Sequence, residues 1–153
     1  MLGAIETRTI EAQPALVIRA RGSAATIGAM LADLFPTVHQ FIQRTGAEMA
    51  GPPFVRYLTM GNEWDFEAGA PVATAVPGEG RVEASSLAGG EVAVVTYTGP
   101  YEGVGEAHEA IGTWLAEQGR LPSGPPWDSY VTDPMQEPDS TKWRTDVYYP
   151  LGG

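Results

Sequence analysis

An α+β fold built from a duplicated unit is predicted by three observations. The chain repeats itself, each repeat holds short segments that alternate like strands, and each holds one segment with helical apolar spacing. Laying Ile5–Gly22 on Val82–Gly99 at a constant offset of 77 pairs Glu6 with Glu83, Ile10 with Leu87, Val17 with Val94 and Gly22 with Gly99. The second half then loses four residues, and at an offset of 73 Gly46 meets Gly119 and Gly51-Pro52-Pro53 meets Gly124-Pro125-Pro126. Phe54 there meets Trp127, and Tyr57 meets Tyr130. A six-residue insertion inside DPMQEPDSTK moves the offset to 79, where Trp64 falls on Trp143, Glu67 on Asp146 and Pro71 on Pro150. The chain reads as a single domain over 1–153, with pseudo-repeats 1–80 and 81–153.

The elements follow in order. Ile5, Thr7 and Thr9, then Leu16–Arg21, predict a strand pair with a turn at Gln13-Pro14. Val82–Leu87 and Val92–Thr98 predict its counterpart, with a turn at Gly89-Gly90. In the first half Ile27, Met30, Leu31, Leu34, Val38, Phe41 and Ile42 keep the 3–4 spacing of a helix. Pro36 sits inside that helix and should kink it. Val104, Ala107, Ile111, Trp114 and Leu115 do the same in the second half, and Gly46 and Gly119 are natural helix stops. After each Gly-Pro-Pro two more strands are expected, Phe54–Met60 with Trp64–Phe66, and Trp127–Thr132 with Trp143–Tyr149. Glu67–Gly80 reads as a mid-chain connector. The unit is thus ββ-α-ββ, used twice. The expectation is an eight-stranded, largely antiparallel sheet with two helices on one face. A pseudo-twofold axis would run through the other face, the natural place for a ligand between the halves.

Composition removes several classes of function. Nine Lys and Arg against nineteen Asp and Glu give a net charge of −10, and Lys142 is the single lysine. Phosphate backbones and anionic membranes should repel such a chain, so direct nucleic-acid and membrane binding are not expected. No cysteine is present, which excludes disulfides and thiolate chemistry. The first residues lack the pattern of a signal peptide, and no apolar run reaches the ~20 residues of a membrane span. A cytoplasmic location is the expectation. His39 and His108 stand on separate helices without metal-ligand spacing, and a helix-surface or packing role is expected for both. No metal and no cofactor are expected. No Gly-rich phosphate loop or serine elbow occurs.

Candidate chemistry lies on the strands. Period two puts Asp128 and Tyr130 on one face of their strand and Trp127 on the other, and groups Asp146 with Tyr148 opposite Tyr149. Tyr97 and Tyr101 flank the Gly99-Pro100 turn, and the first half adds Tyr57, Trp64 and Glu67. Rings around a carboxylate suit a lipophilic cation, each ring contributing roughly 0.5–2 kcal/mol. Asp128 has Val55 as its repeat counterpart, whereas Asp146 and Glu67 are equivalent to each other. An asymmetric acid reads as an acquired site, so Asp128 is favoured over Asp146.

Three stretches carry a resemblance. Gly99-Pro100-Tyr101 opening a helix, Gly124-Pro125-Pro126-Trp127-Asp128-Ser129-Tyr130-Val131-Thr132-Asp133-Pro134, and Trp143-Arg144-Thr145-Asp146-Val147-Tyr148-Tyr149-Pro150-Leu151 closely resemble the GyrI-like small-molecule-binding domain. That domain is also the effector-binding module of many AraC- and MerR-type multidrug regulators. The resemblance spans nearly the whole chain and implies two βαββ-type modules with a ligand cleft at the pseudo-twofold axis. In regulator members the acid of a W-E-x-Y pattern meets cationic drugs among aromatic rings; here that position is Asp128, one methylene shorter. Regulators also carry a helix-turn-helix, which is not expected within these 153 residues because the resemblance takes up nearly all of them.

The functional expectation is therefore binding of hydrophobic, cationic or aromatic small molecules by Tyr57, Trp64, Tyr97, Tyr101, Trp127, Asp128, Tyr130, Trp143, Asp146 and Tyr148. The resemblance carries two alternatives. One is a hydrolase of cyclopropanoid toxins, with a water activated by Asp128 or Asp146 and Tyr130 steadying the leaving oxygen. The other is a protein-binding module with a partner such as DNA gyrase. The sequence does not set the oligomeric state.

Overall fold

Six strand pairings described in the computed structural model are antiparallel, and they divide the chain differently from its repeat. The structure describes residues 1–23, 25–59, 63–133 and 136–152. Met60 and Pro134, which belong to an expected strand and to the quoted motif, lie outside them. The elements are β1 (Glu6–Ile10), β2 (Gln13–Gly22), α1 (Ile27–Thr45), β3 (Phe54–Thr59), β4 (Trp64–Pro71), β5 (Val82–Leu87), β6 (Gly90–Thr98), α2 (Gly105–Gln118), β7 (Trp127–Tyr130) and β8 (Arg144–Gly152). Among the described residues this is an α+β protein of eight strands and two long helices, as the periodicities predict.

Two compact units form. One is Glu11–Ala88; the other joins Met1–Ile10 to Gly89–Gly153. In the first, strands run in the order β3-β4-β2-β5, and in the second β7-β8-β6-β1. Each unit is thus a β-α-β-β core plus one outer strand from the other repeat. The expected hairpins do not form: β1 pairs with β6, and β5 pairs with β2. The physical reason lies in the link. Glu11-Ala12 supplies neither glycine nor asparagine for the positive-φ positions of a two-residue hairpin, so β1 has no means of folding back onto β2. At the other link, Gly90 takes φ 115 as the chain enters β6.

The connector is also shorter than the sequence suggests, because Glu67–Pro71 belong to β4. Gly69 explains the disguise. A Cβ there would sit 2.8 Å from Cα of Val17 on β2, so the strand keeps a glycine where two backbones approach closely. The helix stops fall where expected, with Gly46 at φ 76 and Gly119 at φ 66 in the left-handed region. Pro36 lies within α1 without ending it.

Core formation follows alternation. In the second unit Ala93, Val95 and Tyr97 of β6 and Val147 of β8 turn toward Ala107, Ile111 and Leu115 of α2, forming one buried cluster. In the first unit the α1 side of the sheet is marked by Gly22, where an added Cβ would meet Met30 of α1. Leu16, Ile18, Phe66 and Ala68 share that side by register, and all are buried. No helix among the described residues is long and apolar enough to cross a membrane.

Candidate functional site

Register assigns the candidate residues to faces. Across β6, β8 and β7, Val95 sits opposite Val147 and Val147 opposite Asp128. The next row on the same face is Tyr97, Thr145 and Tyr130. This is the face that α2 covers. The opposite face carries the rows Val94–Tyr148–Trp127 and Thr96–Asp146–Ser129.

On the α2 side, Asp128 has no exposed surface, and its Oδ1 lies 2.7 Å from Nε2 of His108 on α2. The other ring nitrogen, Nδ1, lies 2.7 Å from the Tyr149 hydroxyl. One proton arrangement satisfies both contacts: Nε2–H donates to the carboxylate, and Nδ1 accepts from the phenol. The helix-surface or packing role expected for His108 is therefore corrected to the centre of a partly buried polar chain. A signal for this was present in the sequence. His108 falls four residues after Val104 and three before Ile111, on the apolar stripe of its helix, and a histidine there needs a buried partner.

Burial first, and the Asp128 charge second, push the Tyr149 phenol up to about 12. The folded state thus holds this proton more tightly than the unfolded chain, whose tyrosines ionise near ~10. Its stabilising contribution is complete below pH ~10 and is lost as pH rises through about 12. Ultraviolet titration of phenolate should accordingly show Tyr149→Phe differing from the wild type only in the last step. A difference in the ordinary tyrosine range would contradict the geometry.

Farther along the same face, Tyr101 makes an edge contact with Tyr130 at 5.2 Å and a tilted contact with Trp143 at 4.8 Å. All three rings are partly exposed. Burial, then the Asp133 charge, raises the Tyr101 phenol. Trp143 is fixed by its indole N–H donating to the Glu137 carbonyl at 2.7 Å. Tyr97 stands beneath this cluster as a core residue, and its hydroxyl donates to the Pro100 carbonyl at 2.8 Å, anchoring the turn that carries Tyr101. Thr145, in the row between Tyr97 and Tyr130, has the one buried side-chain oxygen without a hydrogen-bond partner among the described residues.

On the opposite face Trp127 stacks on Tyr148 at 5.2 Å with planes 11° apart. Asp146 beside them is committed: it accepts from Thr96 at 2.8 Å and from both Nε and Nη2 of Arg144. Its repeat equivalent Glu67 is held likewise by Arg56, which also donates to Ser85 Oγ and the Ser86 carbonyl. Arginine thus neutralises the acid at this position in both units. Tyr57 and Trp64 belong to the Glu11–Ala88 unit, where they meet edge to face at 5.6 Å. The ten sequence candidates therefore fall into separate groups. Asp128, Tyr130, Tyr101 and Trp143 share one tract, whereas Trp127, Asp146 and Tyr148 lie on the reverse of the same sheet. No group of three metal-ligating side chains occurs among the described residues.

Comparison with solved structures finds the same fold elsewhere. The EcmrR C-terminal domain superposes with a TM-score of 0.85 at 18% identity, covering 96% of each chain. The EcmrR chain of an EcmrR–DNA complex gives 0.85 at 19% identity over 97% of this chain, which spans 57% of that chain's length. SAV2435 bound to tetraphenylphosphonium gives 0.64 at 13% identity, covering 99% of this chain and 95% of that one. Identities this low speak for the fold alone. Comparison with curated proteins gives no match. The sequence pattern of one family matches residues 4–151, and on that span the chain belongs to the GyrI-like small molecule binding domain family.

Proposed function

We propose that this protein binds hydrophobic small molecules, cationic aromatic ones among them, on the Tyr101–Tyr130–Trp143 cluster. One observation carries the reading: the Tyr130 and Trp143 rings lie 5.2 and 4.8 Å from that of Tyr101, and all three are partly exposed. Aromatic surface left open to solvent in this way offers apolar area together with ring faces that attract cations. The Asp133 charge close to Tyr101 favours a positive guest. A structural relative that holds tetraphenylphosphonium supports the ligand class. Asp128 contributes differently from the reading in which it touches the ligand. Wholly buried and held by His108, it acts on a guest through the histidine and its neighbours. Asp146, clamped by Arg144, reads as a structural strut.

Calorimetric titration with tetraphenylphosphonium tests the site. Trp143→Ala and Tyr130→Ala should each weaken binding about tenfold, equivalent to ~1.4 kcal/mol. Trp127→Phe, on the reverse face, should leave it within about twofold. Equal binding by all four proteins would remove the assignment.

A further inference from the structure

We propose that Tyr149, His108 and Asp128 form a nucleophile, a general base and its orienting acid, and that the site transfers acyl groups from aryl esters through Tyr149. Three features of the geometry support this. The phenol and the imidazole lie 2.7 Å apart, and the imidazole and the carboxylate lie 2.7 Å apart, which is the spacing an activated nucleophile requires. Asp128 has no exposed surface, whereas His108 and Tyr149 are both partly exposed. An orienting acid is best buried and a nucleophile must be reachable, and both conditions hold. With Nε2–H donating to the carboxylate, Nδ1 is left to accept from the phenol.

The chemistry balances without a co-reactant other than water. As Tyr149 Oη bonds to the ester carbonyl carbon, its proton passes to Nδ1 of His108, and the imidazolium is stabilised by Asp128. The bond to the leaving aryl oxygen then breaks, and that oxygen takes the proton from Nδ1. In the second stage His108 accepts a proton from water as it adds to the acyl carbon. The bond to Oη breaks, Tyr149 recovers its proton, and a carboxylic acid departs.

The substrate class follows from the nucleophile. An acyl-tyrosine is itself an aryl ester, so the acyl group moves onto Tyr149 only from a leaving group as good as a phenol or better. Alkyl esters do not qualify. Burial keeps the Tyr149 phenol less acidic than an ordinary one, which makes it a poorer leaving group than most aryl donors. The acylated protein should therefore accumulate. This inference is independent of the ring-cluster proposal, because it requires no contact with Tyr101, Tyr130 or Trp143.

The test uses the full chain with para-nitrophenyl acetate. The expected result is a burst of one nitrophenolate per chain, with the acetyl group mapped by peptide mass spectrometry to Tyr149. Phenyl acetate should also acylate the protein, and ethyl acetate should not. Tyr149→Phe, which removes a single oxygen, should abolish the burst, and His108→Gln should slow it about 100-fold. Asp128→Asn should slow it while far-ultraviolet circular dichroism stays unchanged. Acetyl groups found only on Lys142 or the N-terminal amine, or an undiminished burst in Tyr149→Phe, would overturn the proposal. So would the absence of any burst in the wild-type chain, which needs no variant to fold.

Discussion

Asp128→Ala is expected to destabilise the protein by about 3 kcal/mol, combining an orphaned His108 N–H with the cavity left by the carboxylate. For a chain of this length that is a fall in Tm of roughly 6–12 °C. The side chain is wholly buried and its Oδ1 meets His108 at 2.7 Å, so the substitution removes a hydrogen-bond acceptor from an enclosed place. Asp128→Asn keeps the volume and a carbonyl acceptor and should cost only ~1 kcal/mol. The repeat supplies a further comparison. Val55, the equivalent residue in the other unit, occupies the same place on its strand with no exposed surface. Asp128→Val should therefore fit sterically yet still destabilise, because His108 loses its partner. Adding His108→Leu should recover much of the loss, since an apolar pair can replace a buried polar one at little net cost. Urea denaturation of the wild type, Asp128→Val, His108→Leu and the double variant closes a double-mutant cycle with a coupling of about 1–3 kcal/mol. Additive losses would mean that the Asp128–His108 contact contributes nothing.

Truncation of Ile111 should cost as much or more. This residue is fully buried at the centre of the cluster that seats α2 on β6 and β8. Ile111→Ala removes three carbons from a close-packed environment that relaxes only in part, with an expected loss of about 3–4 kcal/mol. The consequence reaches the site because α2 also carries His108. Loosening the helix lengthens the contacts to Asp128 and Tyr149, so amide exchange along α2 should quicken and the last phenol step should move toward the ordinary tyrosine range. Leu121→Ala, at a residue 85% exposed, serves as the control and should change stability by less than ~0.5 kcal/mol. If both variants melted with the wild type, the core assignment of α2 would be wrong.

The amino-acid sequence made the architecture legible wherever the interactions are local and periodic. The apolar stripe from Val104 to Leu115 and the glycines that end the helices both reappear in the structure. Period two also placed Asp128 with Tyr130, and Asp146 with Tyr148, on their proper faces. The hairpins were misread because alternation defines a strand but not its partner. Gly69 hid part of β4, since a glycine required for close backbone approach looks the same in sequence as a glycine in a linker.

The sequence by itself determined that this is a duplicated α+β chain, free of thiol chemistry, with aromatic rings and a few acids on short strands. Only the tertiary structure decided which of those acids are already spent. His108 reaches Asp128 across 20 residues and Tyr149 across 41, whereas Asp146 is answered by Arg144 two positions away. Nothing in one dimension showed which of these two carboxylates already has a partner. Hydrogen-bond geometry, set by helix seating and strand register, turned one into the hidden end of a polar chain and the other into half of an ion pair.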